Sequence, residues 1–222
     1  MARILFEDDF TGTTGAAWSA TKWATRAVGG GTGACTIQSN AGRMSSTGAW
    51  TGVAGKALVD KLDDFDMVCK FTNATTAARY NDWYYRCRVN VDSGDPGELY
   101  CVEIEPQNDL VTFNTIAADG ATFTQLTSVA TAGVSGTTTY WMRIRARGSR
   151  HQVKWWADGG SEPSTWQIDW IDNSFTSGAF FLAKYSYSGA TPNDVTIDSL
   201  VITEVESRSS KPPVWRSSLS MN

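Results

Sequence analysis

The sequence predicts an all-β protein, an antiparallel two-sheet β-sandwich with an extended C-terminal arm. Two observations carry the prediction. Apolar side chains recur at every second position through most of the chain, which puts one face of each segment in a core and the other outside. Clusters of Gly, Asp, Ser and Pro interrupt these segments at short intervals, as turns between strands do, and no window of a dozen residues has an amphipathic helical period. A chain of 222 residues with 41% hydrophobic content buries one substantial core, so 1–206 reads as one sandwich and 207–222 as the arm.

Each element follows from the alternation. The opening "MARILFEDDF" reads as a strand. "DMVCKF" places Met67, Cys69 and Phe71 on one side, and "WYYRCRVNV" does the same with Trp83, Tyr85, Cys87, Val89 and Val91, leaving Tyr84, Arg86, Arg88 and Asn90 opposite. In "ELYCVEIE", Tyr100, Val102 and Ile104 share the inner face while Cys101, Glu103 and Glu105 face out. "YWMRIRA" sets Tyr140, Met142, Ile144 and Ala146 against Trp141, Arg143 and Arg145. Turn signals lie between at 92–97, 117–121, 147–150, 157–163 and 186–194, and ten to fourteen short strands are expected, each with one wet face.

Cys35, Cys69, Cys87 and Cys101 lack metal-ribbon or redox-motif spacing. If the segments flanking 73–82 pair as a hairpin centred near 78, Cys69 and Cys87 sit opposite one another as a disulfide or as paired thiols.

Composition removes several function classes. A charge of −4 with 19% charged residues supplies no clustered basic face for nucleic acid. No run of about 18 apolar residues is present to insert in a membrane. The opening also lacks the apolar core and cleavage site of an export signal. The expected setting is synthesis in a host cytoplasm and release within a virus particle. "ESRSSKPPVWRSSLSMN" from 206 leaves the ladder at Pro212 and Pro213 and is read either as a frayed tail or as an arm docking on another subunit through Trp215 and Leu219.

Three stretches carry a resemblance. "FEDDFTGTTGAAWSATKW", "YWMRIRARGSRHQVKWWADGGSEPSTWQID" and "DVTIDSLVITEV" resemble the first strand, central hairpin and last strand of concanavalin A-like, laminin-G-like jelly rolls. The resemblance covers about residues 4–205 and implies that the last strand returns beside the first. The Gly/Thr/Ala-rich loops also resemble minor tail proteins of bacteriophages that infect actinobacteria.

Laminarinase-like glucanases of this fold carry Glu, Asp and Glu at alternate positions of one strand. The comparable "CVEIE" places Cys101 at the nucleophile, Glu103 at the Asp and Glu105 at the general acid. Carboxylates two apart on a strand stand about 6 to 7 Å apart on one face, a spacing that suits glycosidases. A thiol does not replace the missing carboxylate, and the sole histidine, His151, falls in a turn. A non-catalytic protein is therefore expected. The outward residues Tyr84, Arg86, Arg88, Glu103, Glu105, Trp141, Arg143, Arg145, Lys154 and Trp156 would form one face, read as a glycan groove, a polar face with cross-strand ion pairs, or a surface covered by a neighbouring subunit. In "KWWADGGSEPSTW", Trp155 and Trp166 read as packing residues, and Trp156 as the candidate for stacking on a ligand.

The fold resemblance also implies a structural calcium between first and last strands, with Asp8 or Asp9 approaching Asp198. The resulting expectation is a non-catalytic virion component, in a symmetric oligomer with other virion proteins and contacting a cell-surface glycan. The alternative is a stand-alone carbohydrate-binding module, or a glucanase using Glu103 and Glu105.

Overall fold

The computed structural model describes residues 2–28, 32–47, 51–59, 61–73, 79–87, 97–105, 108–118, 122–131, 134, 138–186 and 193–205. The described residues form fifteen strands: β1 (Ile4–Asp8), β2 (Trp23–Val28), β3 (Thr32–Gln38), β4 (Ala41–Thr47), β5 (Thr51–Ala57), β6 (Phe65–Asn73), β7 (Arg79–Cys87), β8 (Leu99–Glu105), β9 (Leu110–Ile116), β10 (Phe123–Ala130), β11 (Thr139–Arg147), β12 (Arg150–Ala157), β13 (Ile168–Ile171), β14 (Ala179–Ser186) and β15 (Asn193–Glu204). One sheet runs β13-β12-β11-β6-β15-β4-β3 with β1 also paired to β15; the other runs β10-β9-β8-β7-β14-β5-β2. Pairing is antiparallel throughout, and the last strand lies beside the first, with Asp8 opposite Leu200.

The period-two pattern is realised as one continuous core between the sheets. Met67, Phe71, Met142, Ile144, Leu200 and Ile202 meet Trp83, Tyr85, Tyr100, Val102, Ile104 and Phe113, all essentially inaccessible to solvent. The "FEDDF…W…KW" opening has its own packing logic. Phe6, Phe10, Trp18 and Trp23 form an aromatic cluster with centroids 4.8–5.7 Å apart, and the Trp23 indole Nε1 donates to Asp8 Oδ2 at 2.6 Å.

Three sequence expectations change. β6 and β7 belong to different sheets, so the segments flanking 73–82 do not pair as a hairpin. Cys69 joins the main core and Cys87 a second apolar cluster, both as free thiols. Second, the outward side chains of the β7/β8 sheet are not wet. Tyr84, Cys101, Phe181 and Ala183 form that second cluster, and Asp82 and Glu103 beside them are buried.

Third, Arg86 does not stand on an outer face. A positive φ of 48° at Arg86 and a register shift between Ala179 and Phe181 break the alternation at the end of β7. The buried guanidinium then reaches three backbone carbonyls, those of Asp63 at 2.9 Å, Gly148 at 2.7 Å and Phe175 at 3.2 Å. Its neighbour Gly178 allows this close approach, since a Cβ there would lie 2.5 Å from backbone atoms of Arg86 and Cys87. Removing a buried donor from several carbonyls is costly because none regains water. Arg86→Met is therefore expected to destabilise the fold by about 3–5 kcal/mol in urea unfolding; a change under about 1 kcal/mol would show that the guanidinium does not hold the loops.

Candidate functional site

The residues expected to share one face divide over two opposite outer faces. Trp141, Arg143, Arg145, Lys154 and Trp156 lie on the β11/β12 sheet, and Tyr84, Glu103 and Glu105 on the β7/β8 sheet. Arg86 is interior, and Arg88 lies outside the described residues, as do Pro212, Pro213, Trp215 and Leu219 of the arm.

On the β11/β12 face, cross-strand register aligns Lys70, Trp141 and Trp156 in one row over β6, β11 and β12. The two indoles are half-buried and stacked, with centroids 6.2 Å apart and planes 11° from parallel. Lys70 Nζ sits 5.4 Å from the Trp141 ring, and Asp158 fixes both by an ion pair to Lys70 at 2.8 Å and a hydrogen bond from Trp141 Nε1 at 2.8 Å. Trp156 ends the row because β13 pairs with β12 only over Arg150–Val153. An aromatic stack pinned at one end and half-open at the other is a surface on which a sugar face can pack.

The neighbouring charges are already engaged. Arg143 Nε and Nη2 grip Asp66 at 2.7 and 2.8 Å, and Arg145 binds the same carboxylate. Glu162, from the turn after β12, pairs with Arg143 at 2.6 Å and Lys154 at 2.7 Å. These contacts, led by the hydrogen bond to Asp66, push the Arg143 pKa further up. Trp166 covers the cluster, with Lys154 Nζ and Arg145 Cζ at 4.6 and 5.1 Å from its ring. Trp155 packs in the core. Trp141 and Trp156 are thus the half-exposed aromatic rings of this face, and Arg143 and Lys154 hold the turn beside them through Glu162.

The β7/β8 face has the opposite character. Asp82 stands directly across from Glu103, and Tyr84 across from Cys101. Tyr84 donates to Asp82 Oδ2 at 2.9 Å. Glu105 is half-buried and accepts from Asn108 Nδ2 at 2.7 Å. Burial, then the charge of Asp82, pushes the Glu103 pKa upward, and burial likewise raises Asp82. Burial raises the Cys101 thiol well above its usual value, which leaves it neutral and without nucleophilic force. Asp82 is absent from a reading of "CVEIE" alone. It sits on the adjacent strand, and only the β7–β8 register brings it beside Glu103.

The three carboxylates expected to hold calcium are engaged apart from one another. Asp8 is buried, and its oxygens already accept from Trp23, from Phe10 N at 3.0 Å and from Lys22 at 3.2 Å. Asp9 closes an exposed turn onto Thr11 N at 3.2 Å. Asp198 lies with Lys70 and Asp158, and burial raises its pKa. These three carboxylates do not converge, so the residues do not fit a calcium ion.

No protein-family model matches the sequence, and no curated protein matches it. Solved structures match in fold. The carbohydrate-binding module CBM66 from Bacillus subtilis superposes with a TM-score of 0.57 at 18% identity, over 79% of this chain and 93% of that one. A β-1,3-glucanase from Mycobacterium marinum gives 0.63 at 12% identity, over 90% and 98%. The exoplasmic/lumenal domain of VIP36, in its Ca2+/Man3GlcNAc-bound form, gives 0.61 at 12%, over 87% of each chain. The chain has the concanavalin A-like jelly-roll fold. Glucanases are among its structural neighbours, which overturns the expectation of a non-catalytic protein drawn from the missing carboxylate at Cys101. Asp82, on the adjacent strand, stands beside Glu103.

His151, expected in an exposed turn, is buried at the start of β12. Its Nε2–H donates to the Asp172 carbonyl at 3.0 Å, and Nδ1 accepts from Tyr85 Oη at 3.1 Å. Burial, assisted by the Arg86 charge, lowers its pKa to about 4. Below an unfolded value of about 6.5 the unfolded chain takes a proton that the native ring refuses, so this residue withdraws about 3 kcal/mol of stability as pH falls from 6.5 to 4, and nothing above 6.5. With one histidine in the chain, the imidazole NMR signals of the folded protein are expected to stay neutral down to about pH 5. A midpoint near 6.5 would show the ring to be solvated.

Proposed function

We propose that the chain is a carbohydrate-binding jelly roll that engages a glycan over Trp156 and Trp141. The stacked, half-open indole pair carries the reading, and structural neighbours that are a carbohydrate-binding module and a Man3GlcNAc-bound domain support it. The charges around the stack serve as frame, because their donors are spent on Asp66 and Glu162. None of the three neighbours described above is a tail or capsid protein, and glycan recognition takes the place of particle assembly as the leading reading.

A second reading rests on a separate observation. Glu105 is the half-open member of the acid row Asp82–Glu103–Glu105, on a fold shared with a β-1,3-glucanase. Glycoside hydrolysis would use Glu105 as the proton donor that reaches substrate.

Calorimetric titration with β-1,3-glucan oligosaccharides and with Man3GlcNAc separates the two. Trp156→Ala is expected to weaken glycan binding about five- to thirtyfold while the fold is retained, in keeping with about 1–2 kcal/mol for one aromatic contact. Binding unchanged in Trp156→Ala overturns the first reading. Release of reducing sugar by the wild type, lost in Glu105→Gln, would establish the second.

A further inference from the structure

We propose that Asp82, Cys101 and Glu103 form a site for a borderline divalent cation of the Zn2+ class on the outer face of the β7/β8 sheet. Among the described residues this is the one group of three metal-capable side chains whose donor atoms all lie within 4.8 Å of one another. The register makes the cluster: Asp82 faces Glu103 across the ladder, and Cys101 projects from β8 on the same face, two residues before Glu103.

Two further observations point to a cation. Asp82 is 2% exposed, yet its Oδ1 has no hydrogen-bond donor, while Oδ2 is held by the Tyr84 hydroxyl at 2.9 Å. One oxygen is oriented by a neighbour, and the other is buried and accepts from no described amide, hydroxyl or basic group, as in a ligating carboxylate fixed by its surroundings. The charge pattern agrees. Asp66, Asp158, Glu162, Asp169, Asp194 and Glu204 each have a lysine or arginine partner. No described Lys or Arg pairs with Asp82, Glu103 or Glu105, so among the described residues this buried acidity has no basic side chain to balance it.

The donor set selects the ion. Two carboxylates alone would suit Ca2+ or Mg2+, but a sulfur donor disfavours both and suits Zn2+ and its first-row neighbours. Three protein donors leave a fourth tetrahedral position for water or a ligand atom. Binding replaces protons: the ion takes the Cys101 sulfur as thiolate and both carboxylates in ionised form, releasing the thiol proton and any carboxyl proton to solvent. The site is independent of the glycan reading, which uses the other sheet.

The test uses the full chain after dialysis against chelator, with Zn2+ or Co2+ alone as the probe in millimolar Ca2+ and Mg2+. One Zn2+ per chain is expected by calorimetry, weakened at least tenfold in Glu103→Gln and in Asp82→Asn. The Co2+ form is expected to show a near-ultraviolet sulfur-to-cobalt charge-transfer band, lost in Cys101→Ser and kept in Cys35→Ser. Should Cys101→Ser fail to fold by circular dichroism, the wild-type spectrum still decides. Folded wild type that takes up no equimolar Zn2+, a Co2+ complex without the sulfur band, or a band that survives in Cys101→Ser overturns the proposal.

Discussion

Everything in this molecule depends on two stacked sheets sharing one apolar interior. Side chains alternate strictly along a strand, so burying Tyr100, Val102 and Ile104 obliges Cys101, Glu103 and Glu105 to point the other way. The same constraint turns Trp141, Arg143 and Arg145 outward from β11 once Met142 and Ile144 are committed to the core. The functional surfaces are the residue of that commitment, and cross-strand register decides which outward groups meet.

The two outer faces resolve their polarity differently. On the β11/β12 sheet, carboxylates and bases neutralise one another in a network centred on Asp66, and Trp166 lies over its cations. What remains for a partner is aromatic area at the open end of the Lys70–Trp141–Trp156 row. On the β7/β8 sheet, acids meet acids and a thiol, away from water and from any described base. Such a cluster has to be neutralised by protons or by a cation, and the unpartnered Asp82 oxygen indicates where an ion would sit.

Architecture was legible in the sequence because alternation and turn chemistry are local signals. The core positions of β6, β8 and β11, and the return of β15 beside β1, follow from them. Pairing was not legible. Nothing near residue 78 says that β6 and β7 enter different sheets, which is why Cys69 and Cys87 are far from the hairpin partners their spacing implies. The bulge at Arg86 breaks a pattern that otherwise reads cleanly, and it converts an expected ligand group into a buried clamp on three carbonyls. Asp82 was invisible for a related reason: "YNDWYY" carries no chemical motif, and its carboxylate gains meaning only opposite Glu103. Asp8, by contrast, is an acid in a familiar-looking place whose lone pairs are consumed by an indole and a lysine.

The most direct measurement is an NMR titration of the indole N–H signals of the ten tryptophans with a panel of glycan oligosaccharides. The account predicts saturable shifts at Trp156 and Trp141, with core Trp83 and Trp155 unmoved. Binding that leaves Trp156 and Trp141 unshifted while perturbing the β7/β8 face, or no shift with any glycan in the panel, would contradict it.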